Sequence, residues 1–316
     1  MSTSSSNSVQ FLFDLVLIRC FISCRIDPLA WNTLKSVSSK YSLYDSPDLH
    51  FIESAHAATN TASNAICTMV SDDEAYVDEW VDYHAAIGFS KIYLFDSTEE
   101  HWFQQWGEET SHSAPIEVIH LPGNKTDTSF KANAFAKCIE LHQTKHNSMA
   151  FLEVNDFIVI PGSDGLDPLI KQLQSSPGCA QPIRRIVFGS AGQNVYDPLP
   201  VTKRFMFKVE ENMLSPQSVL FVKTKNSTAP IGSMDNIHSD LAKYFSTQRW
   251  ESSVCPGNAS PPSDVVVHHY LRSTKECKKE RGNTDLCSLK GTVEDQAAWE
   301  KLQKLLPGYS HYNGFL

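Results

Sequence analysis

From residue 65 onward, apolar runs and amphipathic stretches alternate along the chain. "AICTMV" (65–70), "KIYLF" (91–95), "IEVIHL" (116–121), the stretch 149–160 and "RRIVF" (184–188) read as strands. Between the first two, Val77, Trp80, Val81, His84 and Ala85 recur at i, i+3, i+4 spacing, the buried face of a helix. Ser71 with Glu74 fits a capping box at its start, and Gly88 stands where a left-handed cap would close it. Residues 129–146 read as a second amphipathic helix. "DPLIKQLQ" begins a third at 167, and "VEDQAAWEKLQKLL" (293–306) is a fourth, ended by Pro307 and Gly308. Residues 190–270 are rich in turn signals and predict loops and short strands, and no internal repeat is visible.

Strand, helix, strand with short joints predicts a right-handed βαβ unit with parallel strands. The fold class is therefore α/β: an open, mostly parallel sheet flanked by helices over residues 65–316, after an N-terminal segment, 1–64. In such sheets ligands sit beyond the carboxyl ends of the strands. Within 1–64, residues 11–24 are apolar except for Asp14 and Arg19, too short and too charged for a clear membrane span. No basic n-region or cleavage site accompanies this signal-like core. The segment is compatible with a weak membrane anchor or its remnant, and otherwise with a soluble chain.

Composition narrows the partners. A formal charge of −9 over 316 residues argues against a nucleic-acid surface. Eight scattered cysteines form no CxxC pair, so zinc ribbons and redox motifs lack support. Spacing leaves open a Cys277–Cys287 disulfide, with Cys255 pairing elsewhere, against free thiols in a reducing compartment. A zinc site from His268, His269, Cys277 and Cys287 has the residue types but not the spacing of a finger. Sequons at Asn124, Asn226 and Asn258 discriminate little.

The informative anomaly is "FLEVNDFIVI" (151–160), an apolar run interrupted by Glu153, Asn155 and Asp156. A carboxylate buried without a partner is costly, so something must compensate. Oxygen donors at a strand end suit a hard divalent cation such as Mn²⁺ or Mg²⁺. A solvated acidic turn would look the same. P-loop, dinucleotide, serine-hydrolase and zincin signatures are all missing from the chain.

"MVSDDEAYVDEWVDYHAAIGFSKIYLFDST" (69–98) resembles the opening of family 92 glycosyltransferases and their family-2-like relatives, through Glu74, Val77, Glu79, Trp80, Tyr83, His84, Gly88, Phe95 and Asp96. "FKANAFAKCI" (130–139) resembles the helix before the family's metal strand. "FLEVNDFIVI" falls on its D-x-D-E-F motif, "FGSAG" (188–192) on its FGS element, and "HHYLRSTKECKKERG" (268–282) on its late H-Y-x-x-[KR]-S segment. The resemblance implies a GT-A fold, with a Rossmann-like nucleotide-sugar half and an acceptor half. It implies an inverting transfer of a hexose, galactose by family, from a UDP-sugar to a glycan, in the Golgi or another secretory membrane.

By position, Asp73, Glu74 and Asp96 would contact the nucleotide, and Glu153 and Asn155 would take the two aspartate places with Asp156 following. His269 would reach the metal or diphosphate, with Tyr270, Arg272 and Ser273 close by. Ser190 would contact a sugar, and the basic Lys278, Lys279 and Arg281 could assist the diphosphate. Inversion needs a carboxylate base on the acceptor side, for which Asp197, Glu210, Glu211 and Asp235 are candidates. The motif departs from the family at both aspartates. Glutamate keeps the charge on a longer arm and asparagine loses it, which predicts weakened metal binding. The alternative is a catalytically silent relative that binds nucleotide or glycan. Trp80, Val77 and His84 are expected in the core, and only one of His268 and His269 can face the site from a strand.

Overall fold

The computed structural model describes residues 63–109, 115–124, 126–176, 180–210, 218–224, 239–240, 243–244, 264–282 and 285–309, all within one unit, Asn60–Leu316. Residues 11–24, Glu211, Asp235, Asn226, Asn258 and Cys255 lie outside the described residues.

The first apolar run is β1 (Asn64–Val70), buried at every position. Its neighbours are parallel: β2 (Lys91–Asp96) on one side, then β3 (Ile116–His120), and β4 (Ser148–Phe151) on the other. Such a strand is apolar on both faces because helices cover both. Ile66 and Val70 belong to one core with Trp80, Tyr83 and Phe157. Ala65, Cys67 and Met69 belong to a second, with Phe135, Cys138, Ile139 and Phe151.

Helix α1 (Val77–Ala86) buries Val77, Trp80, Val81, Tyr83 and His84, as its spacing predicts. Gly88 has φ 112°, the left-handed geometry expected of it. Ser71 is not the N-cap predicted for it: Tyr76 holds that position, without a side-chain cap. Asp73 takes the Ser71 amide in a turn, and the helix starts only at Val77. After β2 comes α2 (Trp102–Glu109), which is not among the helices expected from the sequence, although its buried Phe103 and Trp106 stand three residues apart. Helix α3 (Thr128–His142) is N-capped by Asp127, whose carboxylate accepts the Ser129 and Phe130 amides.

The predicted strand 149–160 is two strands. β4 ends at Phe151, and β5 (Asp156–Val159) leaves the parallel core to pair with β9 (Val266–Tyr270). Helix α4 (Asp167–Ser175) follows, then β6 (Ala180–Phe188). The first half of β6 pairs with β8 (Ser218–Lys223) and the second half with β9. A short helix α5 (Val201–Arg204), β7 (Phe207–Lys208), α6 (Thr274–Arg281), β10 (Val293–Glu294) and α7 (Ala297–Leu305) complete the described elements. The helix predicted over 293–306 is shorter because Val293 and Glu294 pair with β7. The sheet order is β10-β7-β6-β8-β4-β1-β2-β3, so this is a mixed α/β open sheet whose core strands are parallel and whose β6–β8 side is antiparallel.

Among the described residues, two disulfides tie this frame. Cys277–Cys287 joins α6 to the 3-10 turn at Asp285–Ser288, and Cys67–Cys138 joins β1 to α3. The first spacing is legible in the sequence. The second spans 71 residues and is not.

Candidate functional site

Glu153, Val154 and Asn155 form the turn between β4 and β5. The Asp156 amide donates to the Glu153 carbonyl at 2.9 Å, and Asp156 Oδ2 accepts the Glu153 amide at 2.9 Å. A carboxylate that closes its own turn explains why the apolar run breaks here. Asn155 fastens the turn to the end of β9: its Nδ2 donates to the Tyr270 carbonyl at 3.1 Å, and its own carbonyl accepts the Tyr270 amide at 2.9 Å.

Cations compensate both acids. Lys131 Nζ of α3 lies 2.6 Å from Glu153 Oε1, and Arg281 Nη2 of α6 lies 3.7 Å from Glu153 Oε2. Arg185 Nη2 of β6 reaches Asp156 Oδ2 at 2.5 Å and Glu153 Oε1 at 3.6 Å. Asp156 Oδ1 meets His269 Nδ1 at 2.8 Å, and His269 Nε2 meets Arg281 Nη2 at 3.0 Å. An arginine only donates, so Nε2 accepts and the proton sits on Nδ1, facing Asp156.

Burial pushes the Glu153 carboxyl up, but Lys131, Arg185, His269 and Arg281 outweigh it and hold the group well below the usual range. Asp156 is held low in the same way, against burial, first by Arg185 and then by His269. Burial lowers His269, and the hydrogen bond and charge of Asp156 oppose that shift. His268 faces the other way, its ring 4.4 Å from that of Phe188, so only His269 joins the cluster.

Glu153, Asp156 and His269 each bring one ligand atom to within 4.8 Å of the others, a spacing that a divalent cation can use. The charge balance is less suited to one. Both Asp156 oxygens are already bonded, and three cations stand against two carboxylates. The surplus of positive charge around the two acids opposes an added dication.

A cavity of about 210 Å³ opens beside this turn, beyond the carboxyl ends of β1 and β4. Asp73, Lys131, Glu153, Asn155, Arg272 and Arg281 line it, with Thr126 and Phe135. Arg272 Nη2 donates to Asp73 Oδ1 at 2.7 Å, and its guanidinium carbon lies 4.1 Å from the Tyr76 ring centroid. Arg272 has φ 65°, a left-handed conformation that is uncommon outside glycine. Ser273 and Glu276 form a full capping box that starts α6, and so places Arg281. Its S-x-x-E spacing is the same signal that Ser71 and Glu74 carry without standing at a helix start.

The other predicted residues lie elsewhere. Asp96 is fully buried, and its carboxylate accepts the Thr98 and Phe103 amides. Ser190 is buried, its amide donating to the Leu289 carbonyl at 2.8 Å; a Cβ on the neighbouring Gly189 would stand 2.5 Å from that same oxygen. The Tyr270 ring packs against Phe188 and Phe157 in the core. Glu74 is half-buried in the turn before α1 and is not among the lining residues. Lys279 pairs with Asp72 at the exposed surface, and neither it nor Lys278 lines the cavity. Asp197 caps the Leu199 amide, and Glu210 accepts from Thr292. Cys277 and Cys287 are bonded to each other, which rules them out as zinc ligands.

Three further residues have partners that no local signal reveals. Lys131 and Arg185 sit in segments whose pattern says only helix and strand. Glu79 is buried, where its carboxylate accepts the Val201 and Thr202 amides at 2.6 and 3.1 Å and so caps α5 from a distance. Nothing local in the sequence marks a pairing so far along the chain.

No family profile matches the chain. Over 178 residues it is 22% identical to a glycosyltransferase family 92 protein of Oryza sativa subsp. japonica, a match covering 56% of this chain and 28% of that protein. The chain thus spans less than a third of that relative's length. It is distantly related to family 92 over about half of its own length, in agreement with the motif resemblance. Among solved structures, S. aureus TarS 1–349 in complex with UDP aligns with a TM-score of 0.41 at 12% identity, covering 77% of this chain and 70% of that one. A second S. aureus TarS structure aligns with a TM-score of 0.37 at 11% identity, covering 77% and 43%.

Proposed function

We propose that the chain is a glycosyltransferase of GT-A type that takes a UDP-hexose, galactose by family resemblance, in the cavity beside the Glu153–Asn155 turn. The observation that carries this reading is the convergence of Asp73, Lys131, Asn155, Arg272 and Arg281, from four separate resembling blocks, on one cavity at the carboxyl ends of β1 and β4. In the inverting reaction, the acceptor hydroxyl oxygen bonds to C1 of the sugar and gives its proton to a carboxylate base. The bond from C1 to the diphosphate oxygen breaks, and its electron pair leaves on UDP. Buried cations near the leaving group stabilise that charge. Mn²⁺ or Mg²⁺, the ion implied by the resemblance, would have to displace Lys131 from Glu153.

The disulfides favour an oxidising compartment, in keeping with work on glycans in the secretory pathway. No helix among the described residues is long and apolar enough to cross a membrane. The test is UDP release from UDP-hexoses, with and without glycan acceptors. Release that rises with acceptor supports transfer, and no release with any donor contradicts it. The second reading, a silent binding relative, draws on the loss of both motif aspartates at Glu153 and Asn155. UDP binding without turnover would favour it.

A further inference from the structure

We propose that this cavity holds a diphosphate without a divalent cation, using Lys131 of α3 and Arg281 of α6, with Glu153 as the counter-ion that keeps both in place until the anion arrives. The inference rests on the donor reading above and deepens it.

Lys131 and Arg281 come from different helices and meet on the two oxygens of one carboxylate, at 2.6 and 3.7 Å. Both line the cavity and both are partly accessible, with side-chain exposures of 19% and 27%. Arg185 and Asp156 stand behind them, 10% and 0% exposed, and keep the pair of acids anchored whether or not Lys131 moves. Arg272 lines the same cavity, and its buried Nε has no hydrogen-bond partner. An anion entering here meets three cationic side chains, with Asp73, Glu153 and Glu280 as the acids of the same lining, and of the three cations only Arg272 is paired to a fully buried acid, Asp73. A diphosphate can replace Glu153 as the partner of Lys131 and Arg281 with little rearrangement, because its oxygens accept the same donors. A metal-ligand role makes the opposite demand on Glu153, which then must be free of both.

The two roles give opposite results for Glu153→Gln. Inorganic pyrophosphate is titrated calorimetrically into the full chain, once with EDTA and once with Mn²⁺, and UDP is titrated in parallel. The proposal expects pyrophosphate to bind in EDTA within about twofold of its affinity in Mn²⁺. Lys131→Met and Arg281→Met should each weaken it by about tenfold or more, the loss of one charge-assisted contact. Lys131→Arg should restore it, and Glu153→Gln should tighten it. Melting curves identify any variant that fails to fold, and Glu153→Gln and Lys131→Arg then carry the test. Binding that requires Mn²⁺, or that falls in Glu153→Gln, overturns the proposal. So does an absence of pyrophosphate binding; if UDP still binds, the donor reading survives alone. Pyrophosphate binding with no response to any UDP-sugar supports the cationic site and sinks the donor reading.

Discussion

Arg272 and Asp73 meet at 2.7 Å across 199 residues of sequence, one just after β9 and the other just after β1. Both are buried, at 5% and 2% exposure, so each is the other's compensation. Burial lowers the Arg272 guanidinium, but Asp73, with Glu280 and Tyr76 behind it, outweighs burial and raises the group above its usual range. Asp73→Asn should leave an uncompensated buried cation against Tyr76 and cost about 3–5 kcal/mol. Urea unfolding measures it; a loss under about 1 kcal/mol would show that the pair is not a structural tie.

Glu79 closes α5 through two amides and the Thr202 hydroxyl. Burial pushes its carboxyl up, and the hydrogen bonds from Thr202 and Val201 offset this in part. Glu79→Ala should cost about 2–4 kcal/mol, since these donors lose their acceptor. Unfolding midpoints at constant m-value are the check.

The two disulfides should differ in weight. By loop entropy, Cys67–Cys138, closing 71 residues, contributes about 4 kcal/mol and Cys277–Cys287, closing 10, about 3 kcal/mol. Cys67→Ala with Cys138→Ala should therefore lower the melting temperature more than Cys277→Ala with Cys287→Ala. Equal losses would place the stabilisation outside the unfolded chain.

Burial lowers His84 to about 3 and His268 to about 4, from 6.5 when unfolded. The unfolded chain thus binds protons that the folded chain refuses. Stability is full above about pH 6.5 and falls as pH drops toward 4, by up to about 1.4 kcal/mol per pH unit for each histidine. Melting temperature against pH reads this directly, and a flat profile between about pH 6.5 and 4 would contradict it.

Periodicity carries most of the core: α1, α3, α4 and the parallel strands stand where their apolar spacing puts them. Local polarity carries part of the site, because Glu153 and Asp156 inside an apolar run must have partners. The partners themselves are hidden. Lys131 is 22 residues from Glu153 and Arg185 is 29 from Asp156, and each occupies a position that solvent would serve equally well in a local window. The break after Phe151 is hidden for a related reason. An apolar run shows burial but not which strand it pairs with, and β5 leaves β4's sheet neighbours for β9.

Hydrogen exchange of the full chain, with and without UDP, tests the donor cavity most directly. The account predicts slowed exchange in 69–73, 126–135, 152–155 and 272–281, the segments that supply the lining. Slowing confined to other segments, or none at saturating UDP, would contradict it.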